Sequence, residues 1–224
     1  MEGSNGPNLN FMWFGYYPPS GDFSYVIAVF KPGTKYYVRT MVRYYYGNGG
    51  ANGILYGNEV SFTTPGLYLG ESFWGGIVFS IDGTGEHGLL ASLNDLSKAA
   101  WFNGEYFLTN ATSSSDGIYN TEYIMNALGD SLIISNTPNL AAVDCMNYLN
   151  DFICYRCYTW FLPSKDQLNL LYNQMDKIGG ISNQYYWSST ESDAHLAWGQ
   201  DFSNGTQTPL DKSLVQWVRA IRAF

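Results

Sequence analysis

The chain has 224 residues, of which 17% are aromatic and only 13% charged, and 11 Lys and Arg against 19 Asp and Glu leave a net charge of −8. So much hydrophobic content with so little charge excludes a disordered chain, and the length allows one large domain or two small ones, each with a core. An acidic surface repels phosphate, so nucleic acid is not an expected partner.

No apolar run reaches the roughly 20 residues of a membrane-spanning helix, and MEGSNGPNLN (1–10) lacks the basic start and apolar stretch of a signal peptide. The expectation is a processed piece, or export by another route, as for a virion component. The 19 Tyr and 7 Trp suit a recognition surface or, equally, the half-buried faces of sheets. Cys154 and Cys157 form a C-x-x-C motif, with Cys145 upstream. His87 and His195 stand in distant motifs, so a four-ligand zinc site is hard to assemble. Three readings stay open: free buried thiols, one disulfide involving Cys145, and metal or redox chemistry.

Residues 1–66 read as all-β. YVIAVF (25–30) is an apolar run, KPGT (31–34) a turn, and residues 35–45 an alternating strand. Tyr36, Val38, Thr40 and Val42 share one face of that strand, and Tyr37, Arg39, Met41 and Arg43 the other. A Gly/Asn-rich loop (47–53) leads to NEVSFTT (58–64), and Pro65-Gly66 ends the segment. In residues 67–224, GGIVFSI (75–81) reads as a strand, DGTG (82–85) as a tight turn and GLLAS (88–92) as the returning strand. A polar loop follows (103–120), then three helices.

The first helix is expected over 121–128, ending at Gly129. The second is capped by Thr137 with Pro138 as its first residue, and buries Ala142, Cys145, Met146 and Leu149. In the third, Ser164 and Gln167 make a capping box, Leu168, Leu171, Met175 and Ile178 form the apolar stripe, and Gly179-Gly180 ends it. Antiparallel strands then run to the C-terminus, with a turn at Asn204-Gly205. Strands, then helices, then strands make an α+β fold.

Chemistry is hard to place. His87 sits in a Gly-flanked turn. His195 lies with Glu191 and Asp193 in a loop that reads either as a solvated turn or as an acid–base or metal site. The hydroxyls of WSST (187–190) have no basic partner in sequence, and no helix follows DGTG, so it is not a phosphate loop. The chain is therefore expected not to be an enzyme. Alternation places Trp198, Gln200 and Phe202 on one face of the strand 197–203. Ligand-binding candidates are the loop and strand-edge residues Asp193, His195, Gln200, Thr206, Gln207, Asp211 and Gln216. Trp187, Trp198 and Trp217 read as core positions or as a stacking platform for sugar rings. One of Arg219 and Arg222 is expected to pair with a carboxylate such as Glu191, the other use being a bound sulfate or sialic acid.

FKPGTKYYVRT (30–40) followed by YGNEVSFTTP (56–65) resembles the second half of a fibronectin type III-like domain. The opening strands are absent, so residues 1–66 are expected to be a small fibronectin-like sandwich unit that residues 1–22 or another chain must complete. A half sandwich leaves an apolar face and an edge to cover, which implies oligomerisation or packing on the second unit.

Residues 67–224 resemble the C-terminal domain of the Lcl family, the Legionella collagen-like adhesin. The resemblance rests on GGIVF (75–79), DGTGEHGL (82–89), WFLPSKDQLNLLY (160–172), YWSSTE (186–191), AW (197–198), DFSNG (201–205) and VRAIRAF (218–224). It implies a C-type-lectin-like fold and adhesion to extracellular ligands, including sulfated glycans for the namesake. The Glu-Pro-Asn, Gln-Pro-Asp and Trp-Asn-Asp triplets of calcium-dependent lectins do not occur. Their calcium-mediated sugar mechanism is therefore not carried over, and no cofactor is expected, with calcium staying open although its lectin motif is absent. Sulfatase-modifying oxidases share the lectin-like fold and use paired cysteines, but their signature does not surround Cys154 and Cys157.

The expectation is a non-catalytic adhesion or receptor-binding module on a bacterial or virion surface. It would bind a cell-surface glycan or protein receptor, as a homo-oligomer or part of a larger assembly. The rival is a structural component of a phage fibre or virion that binds neighbouring subunits.

Overall fold

The computed structural model describes residues 30, 32–44, 53–102, 106–129, 139–148 and 160–224. The run at 25–29, the loop 47–52, the Thr137–Pro138 helix start, Leu149 and the Cys154–Cys157 pair lie outside the described residues.

Residues 32–44 and 53–66 pair as the two arms of a long hairpin, in two ladders. β1 (Lys35–Val38) pairs antiparallel with β4 (Val60–Thr63), and β2 (Met41–Tyr44) with β3 (Gly53–Tyr56). The single strand expected over 35–45 is thus broken at Arg39 and Thr40. The cause is one extra residue in the returning arm: residues 57–59 stand opposite 39–40, where the Gly57 amide donates to the Thr40 carbonyl at 2.9 Å. Such a bulge re-aims side chains across the ladder. A side chain at Gly57 would meet the Thr40 hydroxyl, which would have to rotate away.

Residues 67–224 are α+β. The first group comprises β5 (Ser72–Phe73), β6 (Gly76–Ile81), β7 (Gly88–Ser92) and β8 (Ala99–Ala100). Among the described residues four helices follow, α1 (Gly117–Leu128), α2 (Ala141–Asn147), α3 (Lys165–Asn173) and α4 (Met175–Ile178). Then come β9 (Tyr185–Glu191), β10 (Leu196–Asp201), β11 (Gln207–Asp211), β12 (Val215–Gln216) and β13 (Ile221–Ala223). The last strand returns to the first group, giving the sheet order β13-β7-β6-β5, while β11-β10-β9 form a second sheet and β12 pairs with β8. Every ladder between these strands is antiparallel.

Local chemistry explains the elements. The Asp82 carboxylate accepts from the Thr84 amide and hydroxyl and from the Gly85 amide, closing the β6–β7 turn as expected. α1 starts four residues before the expected Thr121, because Asp116 caps it by accepting from the Tyr119 amide. The capping box of α3 is present, and Gln167 Oε1 accepts both from the Ser164 amide and, at 3.1 Å, from the Gly117 amide of α1. The α3 stripe holds, with Leu168, Leu171 and Ile178 buried, though the helix breaks at Gln174 before α4. In α2, Ala142 and Cys145 are buried as expected while Met146 is exposed, a correction to the expected stripe. Helix-facing apolar residues meet Trp101, Trp187 and Val218 in one core cluster. Phe79, Phe161, Tyr186 and Phe202 centre a second.

Candidate ligand-binding site

The platform is the sheet β11-β10-β9. β10 is its middle strand, with Leu196 opposite Asp211 at one end and Gln200 opposite Gln207 at the other. Four residues at about 3.3 Å each put those ends about 13 Å apart. Pro209 sits on β11, which is the edge strand, where its missing N–H removes no ladder bond. The seven sequence candidates therefore do not form one patch, and the sheet divides them.

Asp193, His195 and Asp211 gather at the first end. Asp193 is exposed, and its carboxylate accepts from the His195 and Leu196 amides, both at 2.8 Å, which fixes the loop entering β10. The exposed His195 ring lies 4.4 Å from the ring of Tyr106, tilted by 34°. The Tyr106 hydroxyl donates to Asp211 Oδ1 at 2.9 Å, and the same carboxylate accepts from the Ser213 amide and hydroxyl. Those donors, the Ser213 hydroxyl first, hold the Asp211 carboxyl below the ordinary aspartate range. The result is two rings and two carboxylates on one solvent-facing shelf. Tyr106 stands in the long polar loop, and no signal in its sequence neighbourhood pointed to it.

A buried ion pair fixes that shelf from beneath. Lys212 Nζ donates to Glu191 Oε1 at 2.6 Å, to the Ala194 carbonyl at 3.0 Å and to the Phe107 carbonyl at 3.2 Å, so all three ammonium protons are used. Glu191 in turn accepts from the amides of Thr109 and Asn110. Both side chains are fully enclosed, and the ammonium also lies over the Trp101 ring. One pair thereby ties residues 107–110, which follow Tyr106, to residue 194, which precedes His195.

At the other end the expectations need correcting. Gln200 is fully buried: its Nε2 donates to Asn169 Oδ1 and the Gly205 carbonyl, and its Oε1 accepts from Gln207 Nε2. The face it shares with Trp198 and Phe202 turns inward, toward α3. Gln207 is half-buried and also donates to the Lys165 carbonyl at 2.8 Å. Thr206 is exposed in the turn, which is longer than an Asn-Gly pair: the Asp201 amide bonds the Thr206 carbonyl, and only Gly205 has a positive φ, at 81°. Gln216 is half-buried on β12, across from Ala99.

Trp187 is core, and its indole N–H donates to the Ala99 carbonyl. Trp198 is half-buried with Lys165 Nζ 3.3 Å from its ring centre, and Lys98 lies over Trp217. Arg219 takes the structural pairing expected of it, but with Asp95 at 3.0 Å, because Glu191 is held by Lys212. Cys145 is a buried free thiol, and burial pushes its pKa up. Among the described residues no three His, Cys, Asp or Glu side chains converge as a metal site, and no helix is long and apolar enough to cross a membrane.

No family model matches the chain, and no curated protein matches it significantly. Among solved structures, a fimbrial protein from Bacteroides ovatus is similar at a TM-score of 0.42 and 16% identity, over 62% of this chain and 36% of that one. The chain thus spans about a third of that protein's length. A likeness at this level decides neither fold nor function.

Proposed function

We propose that residues 67–224 form a C-type-lectin-like, non-catalytic binding module of the Lcl C-terminal type. It recognises an extracellular ligand, a surface glycan, through Tyr106, His195, Asp193 and Asp211. The observation that carries the reading is the Tyr106–His195 ring pair beside the exposed Asp193 and half-buried Asp211 carboxylates, held from beneath by the enclosed Lys212–Glu191 pair. Rings offer a face for sugar stacking and the carboxylates accept hydroxyl hydrogen bonds. Fixed side chains lose little entropy on binding. Asp211 is a stabilised carboxylate rather than a proton shuttle near neutral pH, which favours binding over acid–base catalysis. Weak single sites of this kind gain strength by multiplicity on a cell or virion surface.

The test is a glycan array with the whole chain, read with and without calcium, for the wild type and for Tyr106→Ala and Asp211→Asn. A specific signal that both substitutions reduce about tenfold or more, with unchanged melting, supports the proposal. An array with no signal, or a signal indifferent to both substitutions, sinks it.

A further inference from the structure

The hairpin β1–β4 exposes large apolar side chains on both faces. Val38 and Val60 are direct partners on one side and Tyr37 points to the other, with Tyr37 and Val60 each 62% exposed. In the second ladder Leu55, opposite Val42, is 61% exposed, and Tyr56 on the reverse face 51%. A two-stranded ribbon is marginal in water by itself, and apolar exposure of this kind marks an association surface.

Charge identifies the partner. Residues 31–66 hold Lys31, Lys35, Arg39 and Arg43 against Glu59 alone, a net +3, whereas residues 67–224 hold seven basic against sixteen acidic residues, a net −9. The positive groups lie among the apolar ones: Lys35 Nζ is 5.3 Å from the Tyr37 ring centre, and the Arg39 guanidinium 4.1 Å from that of Tyr56. Exposed carboxylates of the larger unit include Asp82, Glu86, Asp166 and Asp176.

We infer that this hairpin docks onto a second copy of the chain, the basic apolar hairpin of one copy seating against the acidic 67–224 unit of the next. Donor and acceptor surfaces differ, so the contact is head-to-tail and builds rings or open chains rather than a two-fold dimer. Opposite net charges speed encounter and fix which surfaces meet, while the exposed Tyr and aliphatic residues supply the buried area. None of the shelf residues Tyr106, Asp193, His195 and Asp211 belongs to the hairpin, so the inference stands apart from the ligand reading.

Sedimentation equilibrium of the full chain decides it, for the wild type, Arg39→Glu and the double change Tyr37→Ser with Leu55→Ser. Circular dichroism and melting verify the fold of each. The expected result is a wild-type mass that climbs with concentration past the dimer, and association about tenfold or more weaker in both variants. In about 1 M salt the deficit of Arg39→Glu should shrink, because exposed charges are then screened. A wild type that stays monomeric, a closed dimer, or association unaffected by Arg39→Glu overturns the inference. Should the double variant fail to fold, Arg39→Glu at its exposed position decides alone.

Discussion

Glu191 and Lys212 show what a single residue does here. Glu191 stood out in sequence as the carboxylate for a C-terminal arginine, yet its partner is Lys212 and Arg219 turns to Asp95. Residues 107–110, 191, 194 and 212 meet only after folding, so proximity in sequence could not rank the cations. Removing one member of a buried pair strands the other charge, which costs about 3–5 kcal/mol. Lys212→Met should lose about that much in urea denaturation, and array binding through Tyr106 should weaken with it. A loss below about 1 kcal/mol would mean the pair is not the scaffold of the shelf. Gln200 teaches a related lesson. Strand alternation correctly grouped it with Trp198 and Phe202, but period alone does not say which face a helix will cover, and Asn169 of α3 settles that.

Elements with a local signal were legible. The Ser164–Gln167 box, the apolar stripe behind it and the Asp82 turn all stand where the residue pattern put them, because each is closed by bonds within four residues. Elements that depend on distant chain were misplaced. The bulge at 39–40 depends on the length of the opposing arm, whereas the early start of α1 at Gly117 comes from the local Asp116 cap. Gly76 at the head of β6 is another position set by the opposing strand. An added Cβ would lie 2.6 Å from the Ala91 carbonyl oxygen and 2.8 Å from the Trp160 ring. Gly76→Ala should therefore destabilise by about 1–3 kcal/mol through overpacking, read as a lower thermal midpoint, and a neutral result would show that β6 and β7 can part without cost.

At the scale of the whole molecule, titration tests the fold from both sides of neutrality. Asp82, Asp201 and Asp211 each accept a hydroxyl hydrogen bond from the residue two places on, which lowers all three carboxyls. Their folded pKa lies below the unfolded value near 3.9, so what they contribute is present above it and fades as pH falls through the folded one. Tyr186 works in the opposite direction. Burial first, then the adjacent Asp95 carboxylate, pushes its phenol well above the ordinary range. Its contribution is present below about 10 and is lost as pH rises beyond that value. Thermal melts should show a plateau from about pH 5 to 9 with a fall on either side. Tyr186→Phe should flatten the alkaline fall, and an unchanged alkaline limb would remove Tyr186 as its source.

Composition, turn residues and periodicity determined that the chain is a folded α+β protein and where its capped helix and tight hairpin lie, because those signals act over a few neighbouring residues. The fold alone decided which polar residues face water. It brought Tyr106 to His195 and, across 105 residues, to Asp211, enclosed Gln200, and matched each buried charge to its partner. Those outcomes follow from which elements cover which faces, and no local pattern carries that information.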